Sequence, residues 1–423
     1  MEYEEIGFSI FTSLSTAPRR GTAGNKAPLL LLRICHRWRH IALETPRLFT
    51  KLVIPNTRRG DPLSLVSLYL NHSGALPFEF HIRFTKTDPG VVRVPGGHRR
   101  LFEQLHNNFE RIKVLRLHNL PSLKYLAVLF PFFSESRLPT LVDLEISAIQ
   151  HDLLGGIVAP KLERICFHSN GYQWQDIIRA YEPKNLKTLL DYGRESYDGE
   201  DMLRLFKEHP HLKECKLVYE EKPDSFPFTP QPSQLLSLTF LGIRFNRESE
   251  HFFELVKHLH TPNLETLEFL YEGNNVPTRG CIAEALTAWA RACKPPLKKI
   301  ALQFVMMAIG EYDELWISLP GLENITIYFG RLHSRNIDFL NRDLNPKILP
   351  QLKQLVLLSC YVDMPSMVEM LRSRCAVPKL EHTVSGSSMA RMTYIEMSKI
   401  VVPDPNVLLA VQEEFPQLEI KIW

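Results

Sequence analysis

One phrase recurs along this chain and constrains its fold more than any other feature. It is an apolar residue, two variable positions, a second apolar residue, one variable position and a third apolar residue, most often leucine. The phrase reads Ile112, Leu115, Leu117, then Leu141, Leu144, Ile146, then Leu162, Ile165, Phe167, then Leu212, Cys215, Leu217. It continues as Leu238, Leu241, Ile243, then Leu264, Leu267, Phe269, then Leu297, Ile300, Leu302, then Leu322, Ile325, Ile327, then Leu352, Leu355, Leu357. Leu186 and Leu189 give a degraded copy and Leu380 a weaker one. The last two apolar residues alternate at period two, which puts both on one face of a short strand, while the first turns the chain into it. One such strand cannot hide its apolar face alone, so the copies must stack.

Middle residues of successive copies lie 21 to 33 positions apart, which straddles and slightly overruns the leucine-rich-repeat periods. Longer, variable connectors follow from that irregularity. Several read as helices: Asp201 to Phe206, then the face Phe252, Leu255, Val256, Leu259, then Ile282, Ala285, Leu286, Trp289, then Met367, Met370, Leu371. Many of the 30 prolines stand just before an apolar cluster, as punctuation between short elements. The expected fold class is therefore α/β: N-terminal helices, then an irregular leucine-rich-repeat solenoid with a parallel sheet on its concave face and helices and loops on its convex face. The boundaries read as 1–54 for the helical segment, 55–110 for a linking or capping region and 111–423 for the repeats.

Residues flanking the buried strand positions point the other way and form three rows. One holds Asp143, Arg164, Glu214, Lys299, Asn324 and Gln354; the next holds Arg116, Glu145, Lys216 and Glu268; the last holds His118, His168, Tyr192, Arg244, Gln303 and Tyr328. Charged, amide and tyrosine groups on a rigid sheet suit protein recognition. Arg116, His118, Glu145, Arg164, His168, Lys216, Arg244, Glu268, Gln303 and Tyr328 are the expected target-binding residues.

Chemistry-bearing motifs do not stand out beside the repeats. The chain holds no GxSxG, GxxxxGK[ST] or GxGxxG, so catalytic residues, cofactor and metal are all expected to be none. His36 and His40 have the i, i+4 spacing of a metal pair but no glutamate between them; with His209, His211, His258 and His260 they read as solvent-facing. The seven cysteines are widely separated, with no CxxC, and fit reduced thiols packed as small hydrophobes in a cytoplasmic or nuclear protein. The acidic start at Met1-Glu2-Tyr3-Glu4-Glu5 is unlike a secretory signal, and no apolar run is long enough for a membrane span. A net charge of +3 disfavours nucleic acid as a partner, although Arg and Lys are locally dense between 19 and 59.

Residues 27–54 carry a different signal. On a helix from Pro28, the residues Leu31, Ile34, Cys35, Trp38, Ile41 and Ala42 form one apolar stripe with Arg33, Arg37 and His40 toward solvent, and Pro46 stops it. The run Ile34-Cys35-His36-Arg37-Trp38-Arg39, with Ile41-Ala42, Thr45-Pro46 and Leu48-Phe49, resembles the second half of an F-box as found in fungal F-box proteins. Leu65 to Phe84 and Leu101 to Leu117 resemble the segments that follow it there. Only Glu5-Ile6 and Ile10-Phe11 echo the first half, and its opening Leu-Pro is absent, so the resemblance is to an F-box eroded or truncated at its N-terminus. The resemblance implies a Skp-type adaptor and, through it, a cullin as partners in an SCF-type ubiquitin ligase, with an unknown target on the repeats and no enzyme activity of its own. It also implies an adaptor surface of Ile6, Ile10, Phe11, Leu32, Ile34, Cys35, Trp38 and Ile41.

Overall fold

In the computed structural model the prolines take a defined job. Before most strands the backbone N–H of the first phrase residue donates to the carbonyl three residues back: Leu141 to Leu138, Leu162 to Ala159, Leu212 to His209, Leu264 to Thr261, Leu322 to Leu319, Leu352 to Leu349 and Leu418 to Phe415. The second residue of every one of these turns is proline: Pro139, Pro160, Pro210, Pro262, Pro320, Pro350 and Pro416. Its ring fixes φ near the value a tight turn requires there, so less conformational entropy is lost in forming the entry to the strand. The residue before the proline packs inward, with Leu138, Ala159, Thr261, Leu319 and Leu349 all buried.

The structure describes residues 26–54, 62–83, 96–118, 138–147, 158–168, 183–192, 197–220, 233–245, 250–271, 281–303, 310, 312–328, 330–376, 390–398 and 406–422. Two compact units divide the chain, residues 1–195 and 196–423. In the first, helices α1 (Lys26–Ile34) and α2 (His36–Leu43) lead into β1 (Lys51–Ile54), α3 (Pro62–His72), β2 (Phe78–Arg83), α4 (Gly96–His106), β3 (Ile112–His118), β4 (Asp143–Ile146), β5 (Arg164–Phe167) and β6 (Thr188–Asp191). The strands pair in sequence order, every neighbour parallel. In register, Leu115 meets Leu144, Ile165 follows and then Leu189, so the middle phrase residues form one buried row.

The second unit repeats this plan. Its main strands are β7 (Glu214–Tyr219), β8 (Phe240–Phe245), β9 (Thr266–Tyr271), β10 (Lys299–Gln303), β11 (Asn324–Tyr328), β12 (Gln354–Leu358), β13 (Tyr394–Ser398) and β14 (Glu419–Ile422), again parallel and in order. The connecting helices are α5 (Gly199–Glu208), α6 (Glu250–His258), α7 (Cys281–Cys293), α8 (Asp313–Ser318), α9 (Ser334–Leu340), α10 (Met364–Cys375) and α11 (Asn406–Glu414). Asp198 caps α5 by accepting from the Asp201 N–H, and Asp363 caps α10 by accepting from Ser366. Helices cover the phrase side of the strands: Phe252 of α6 packs its ring on Tyr219, Phe245 and Phe269. The full copies of the phrase expected from sequence are 3% exposed or less at every apolar position, which makes this packing the principal stabilising term.

Four expectations need correction. The sheet does not begin at 111, because β1 and β2 already belong to it; Phe49, Leu52 and Ile54 are a copy of the phrase with phenylalanine leading. The helix from Pro28 is broken at Cys35, whose extended backbone (φ −159°, ψ 171°) separates α1 from α2 and splits the apolar stripe. His209 is buried instead of solvent-facing, because it fills the inward position ahead of Pro210. Cys35 is exposed, whereas Cys166, Cys215, Cys293, Cys360 and Cys375 are buried free thiols as expected. The weak copy at Leu380 lies outside the described residues, as do Ile6, Ile10 and Phe11. No helix among the described residues is long and apolar enough to cross a membrane.

Candidate functional site

Strand alternation sends every second side chain of β3, β4 and β5 away from the buried phrase side, and in the first unit these gather into one polar cluster. Asp143 lies between two arginines: Arg116 donates to its Oδ2 at 2.6 Å and Arg164 to its Oδ1 at 2.7 Å. Glu145 stands two residues on, 3.5 Å from Arg116 Nε and 3.5 Å from Arg164 Nη1 through Oε2. Its other oxygen, Oε1, faces His118 Nδ1 at 3.7 Å and His168 Nε2 at 3.5 Å. The two carboxylate side chains are only 14% and 13% exposed, so solvent screens these contacts less than it would at an open surface.

Burial and neighbours set the protonation states. Although burial opposes its charge, the hydrogen bond to Asp143 lifts the Arg164 guanidinium above its ordinary range. Burial holds the His118 imidazole below its usual value, with Glu145 pulling the other way. Cys166 lies beside Glu145 in register and belongs to the same face; burial first, then the carboxylates, push its thiol up to about 12. His168 closes the cluster, its ring stacked on Tyr192 with centroids 4.7 Å apart and planes 3° off parallel. The arrangement presents a fixed array of charge-assisted donors and acceptors.

The second unit carries its own polar row. Lys216 Nζ donates to Glu268 Oε2 at 2.5 Å, reaching across β8 at Gly242. A Cβ at Gly242 would sit 3.0 Å from Lys216 Cγ and 3.5 Å from Glu268 Oε2, so the glycine leaves the path of the bridge open. We expect Gly242→Val to abolish the coupling between the two charges while leaving the sheet intact. A double-mutant cycle with Lys216→Met and Glu268→Gln should give about 1–2 kcal/mol in the parent and near zero in the valine background. Equal coupling in both backgrounds would refute the role given to Gly242. Farther along the row, burial raises the Tyr328 phenol, with Glu268 and Glu396 adding to the effect. Tyr394 donates to Glu396 at 2.5 Å and Lys421 lies over its ring, 5.1 Å from the centroid.

The ten target-facing residues expected from sequence thus all sit on outward strand positions or immediately after them. Arg116, His118, Glu145, Arg164 and His168 come together in the first unit; Lys216, Glu268, Arg244, Gln303 and Tyr328 lie on the strands of the second. Cys166 and Gly242 were missed. The signal for Cys166 was present, since Arg164, Cys166 and His168 alternate at period two, but a cysteine in an apolar run reads as core.

Of the adaptor-facing set, Ile34 is 53% exposed, Ile41 is 40% exposed and Cys35 is also exposed, while Leu32 and Trp38 are partly covered. Leu30, one turn before Ile34, is 60% exposed as well and had not been singled out. Leu31 and Ala42 face inward.

No protein-family model matches the chain, and no curated protein matches it. Among solved structures, one that it resembles is a leucine-rich-repeat protein of Leptospira interrogans, at 14% identity and a TM-score of 0.33; the match covers 84% of this chain and 68% of that one. So loose a likeness carries no weight beside the strand ladders themselves.

Proposed function

We propose that this chain is a two-ended binding subunit, with α1 and α2 docking on a Skp-type adaptor and the polar strand face holding a target protein. The observation that carries the first half is the exposure of Leu30, Ile34 and Ile41 on two short, consecutive helices. Each side chain is about half covered already, so docking would gain about 1 kcal/mol for each, and Leu30 and Ile34 share one helix face. Exposed aliphatic groups concentrated this closely mark an interaction surface more often than scattered ones do. Their place in the segment that resembles an F-box names the adaptor class, and through it an SCF-type ubiquitin ligase. Such a subunit acts by holding its target near the transfer machinery, which raises effective concentration without bond chemistry of its own.

The test is titration calorimetry of the full chain with a purified Skp-type adaptor. The intact chain should bind, and Ile34→Asp and Ile41→Asp should each weaken binding about tenfold or more, since each would desolvate a charge in an apolar contact. Leu236→Asp, at a residue 52% exposed elsewhere, should leave affinity unchanged. An intact chain that does not bind the adaptor overturns the ligase reading and leaves a repeat scaffold that binds proteins through its strand face.

A further inference from the structure

The polar cluster of the first unit contains a second arrangement that recognition of a target does not require. Cys166 Sγ lies 3.3 Å from His168 Nε2, and that nitrogen lies 3.5 Å from Glu145 Oε1. The three donor atoms all fall within 4.8 Å of one another. His118 Nδ1 approaches the same carboxylate oxygen at 3.7 Å. A tetrahedral zinc ion, with bonds of about 2.0–2.3 Å, separates its donors by about 3.3–3.8 Å. The Cys166–His168 and His168–Glu145 separations, 3.3 and 3.5 Å, match two such edges.

We infer that Glu145, Cys166 and His168 form a binding site for a zinc-class divalent cation, three protein ligands that leave the fourth position to solvent. The backbone fixes the donors before any ion arrives. Glu145 and Cys166 are cross-strand partners in β4 and β5, and the His168 N–H continues that ladder by donating to the Ile146 carbonyl. Outer groups orient the ligands as metal sites require. Tyr192 holds the His168 ring by stacking, and the arginines engage only Oε2 of Glu145, leaving Oε1 toward the histidines. Asp143 takes the shorter contacts to both arginines, at 2.6 and 2.7 Å, so Glu145 is the less committed carboxylate. One thiolate, one carboxylate and imidazole nitrogen select zinc or cobalt over magnesium or calcium, which take oxygen ligands. On binding, the Cys166 thiol gives its proton to solvent and the sulfur becomes the anionic ligand. Sequence spacing hides the site, because Glu145 and Cys166 meet only through the register of two neighbouring strands.

The experiment titrates cobalt(II) into the full, metal-stripped chain and follows absorption. Expected are a thiolate-to-cobalt charge-transfer band and the intense visible bands of four-coordinate cobalt, both displaced by zinc. Cys166→Ser should lose the charge-transfer band, while Cys360→Ser, at a buried thiol elsewhere, should keep it. His168→Ala, at an exposed position that tolerates truncation, should weaken zinc affinity about tenfold or more in chelator competition. If the intact chain develops no charge-transfer band, or if His168→Ala binds as tightly as the parent, the inference is overturned. Neither readout depends on the adaptor, so failure here is distinct from failure of the docking proposal.

Discussion

Replacing Arg374 by methionine is expected to lower the unfolding free energy of the second unit by about 3–5 kcal/mol. Arg374 lies on α10 and is 1% exposed, yet its hydrogen-bond partners among the described residues are all backbone carbonyls. Nε donates to Leu340 at 2.6 Å, Nη1 to Leu349 at 2.8 Å and Nη2 to Ile348 at 2.9 Å. Leu340 ends α9, where carbonyls lack helical partners and the helix dipole is negative. Leu349 has φ +43°, a left-handed conformation that costs a leucine about 1–2 kcal/mol, and the guanidinium helps to hold it there. Burial, with Arg342 beside it, brings the Arg374 pKa down to about 10, so the group stays charged at neutral pH. Methionine keeps most of the apolar stem but removes all three donors, leaving, among the described residues, the Leu340 and Ile348 carbonyls bare and the Leu349 carbonyl with only the Leu352 N–H. Arg374→Lys should recover less than half, since an ammonium cannot reach three acceptors in one plane. By contrast Arg372→Met removes only a half-exposed pair with Glu414 and should change stability by less than about 1 kcal/mol. Urea unfolding, read as a midpoint shift at constant slope, checks the ranking; equal losses for the two arginines would sink it.

Trp289→Ala should cost a comparable amount, about 3–5 kcal/mol. Trp289 is among the largest fully buried side chains and belongs to α7, where its indole N–H donates to Thr261 Oγ1 at 3.0 Å. Thr261 is itself fully buried at the turn that leads into β9. Nearby, Cys293 donates to the Leu259 carbonyl at 3.0 Å, so α7 is fastened twice to the preceding connector. Trp289→Phe retains much of the apolar area but removes the indole donor to the Thr261 hydroxyl, and a loss of about 1–2 kcal/mol is expected. Adding Thr261→Val to Trp289→Phe should restore part of that loss, because both polar partners are then gone. If the double variant is less stable than the sum of the single ones, the hydrogen bond is not what couples these residues.

Strand positions were legible because period-two alternation after a proline turn permits few other folds. Leu144, Leu241 and Leu355 lie buried on the phrase side of their sheets, as that spacing demands. Copies led by other residues escaped notice: Phe49, Leu52, Ile54 and Met392, Ile395, Met397 are equally buried but lack the leading leucine. The break at Cys35 was hidden because helical spacing continues on both sides of it. The cluster around Glu145 was half visible. Its outward direction follows from alternation, but who meets whom depends on register between strands, which no single strand encodes.

The register, which among the described main strands shifts only at Phe78/Glu79 between β2 and β3, also bears on how the chain can vary. Neighbouring strands meet in step whether their partners are 21 residues apart, as Asp143 and Arg164 are, or 40, as Gln354 and Tyr394 are. The entropy lost in closing a connector rises only with the logarithm of its length, so doubling the span adds about 0.6 kcal/mol. Segments between strands can therefore lengthen or shorten at little thermodynamic penalty while the polar face stays in place.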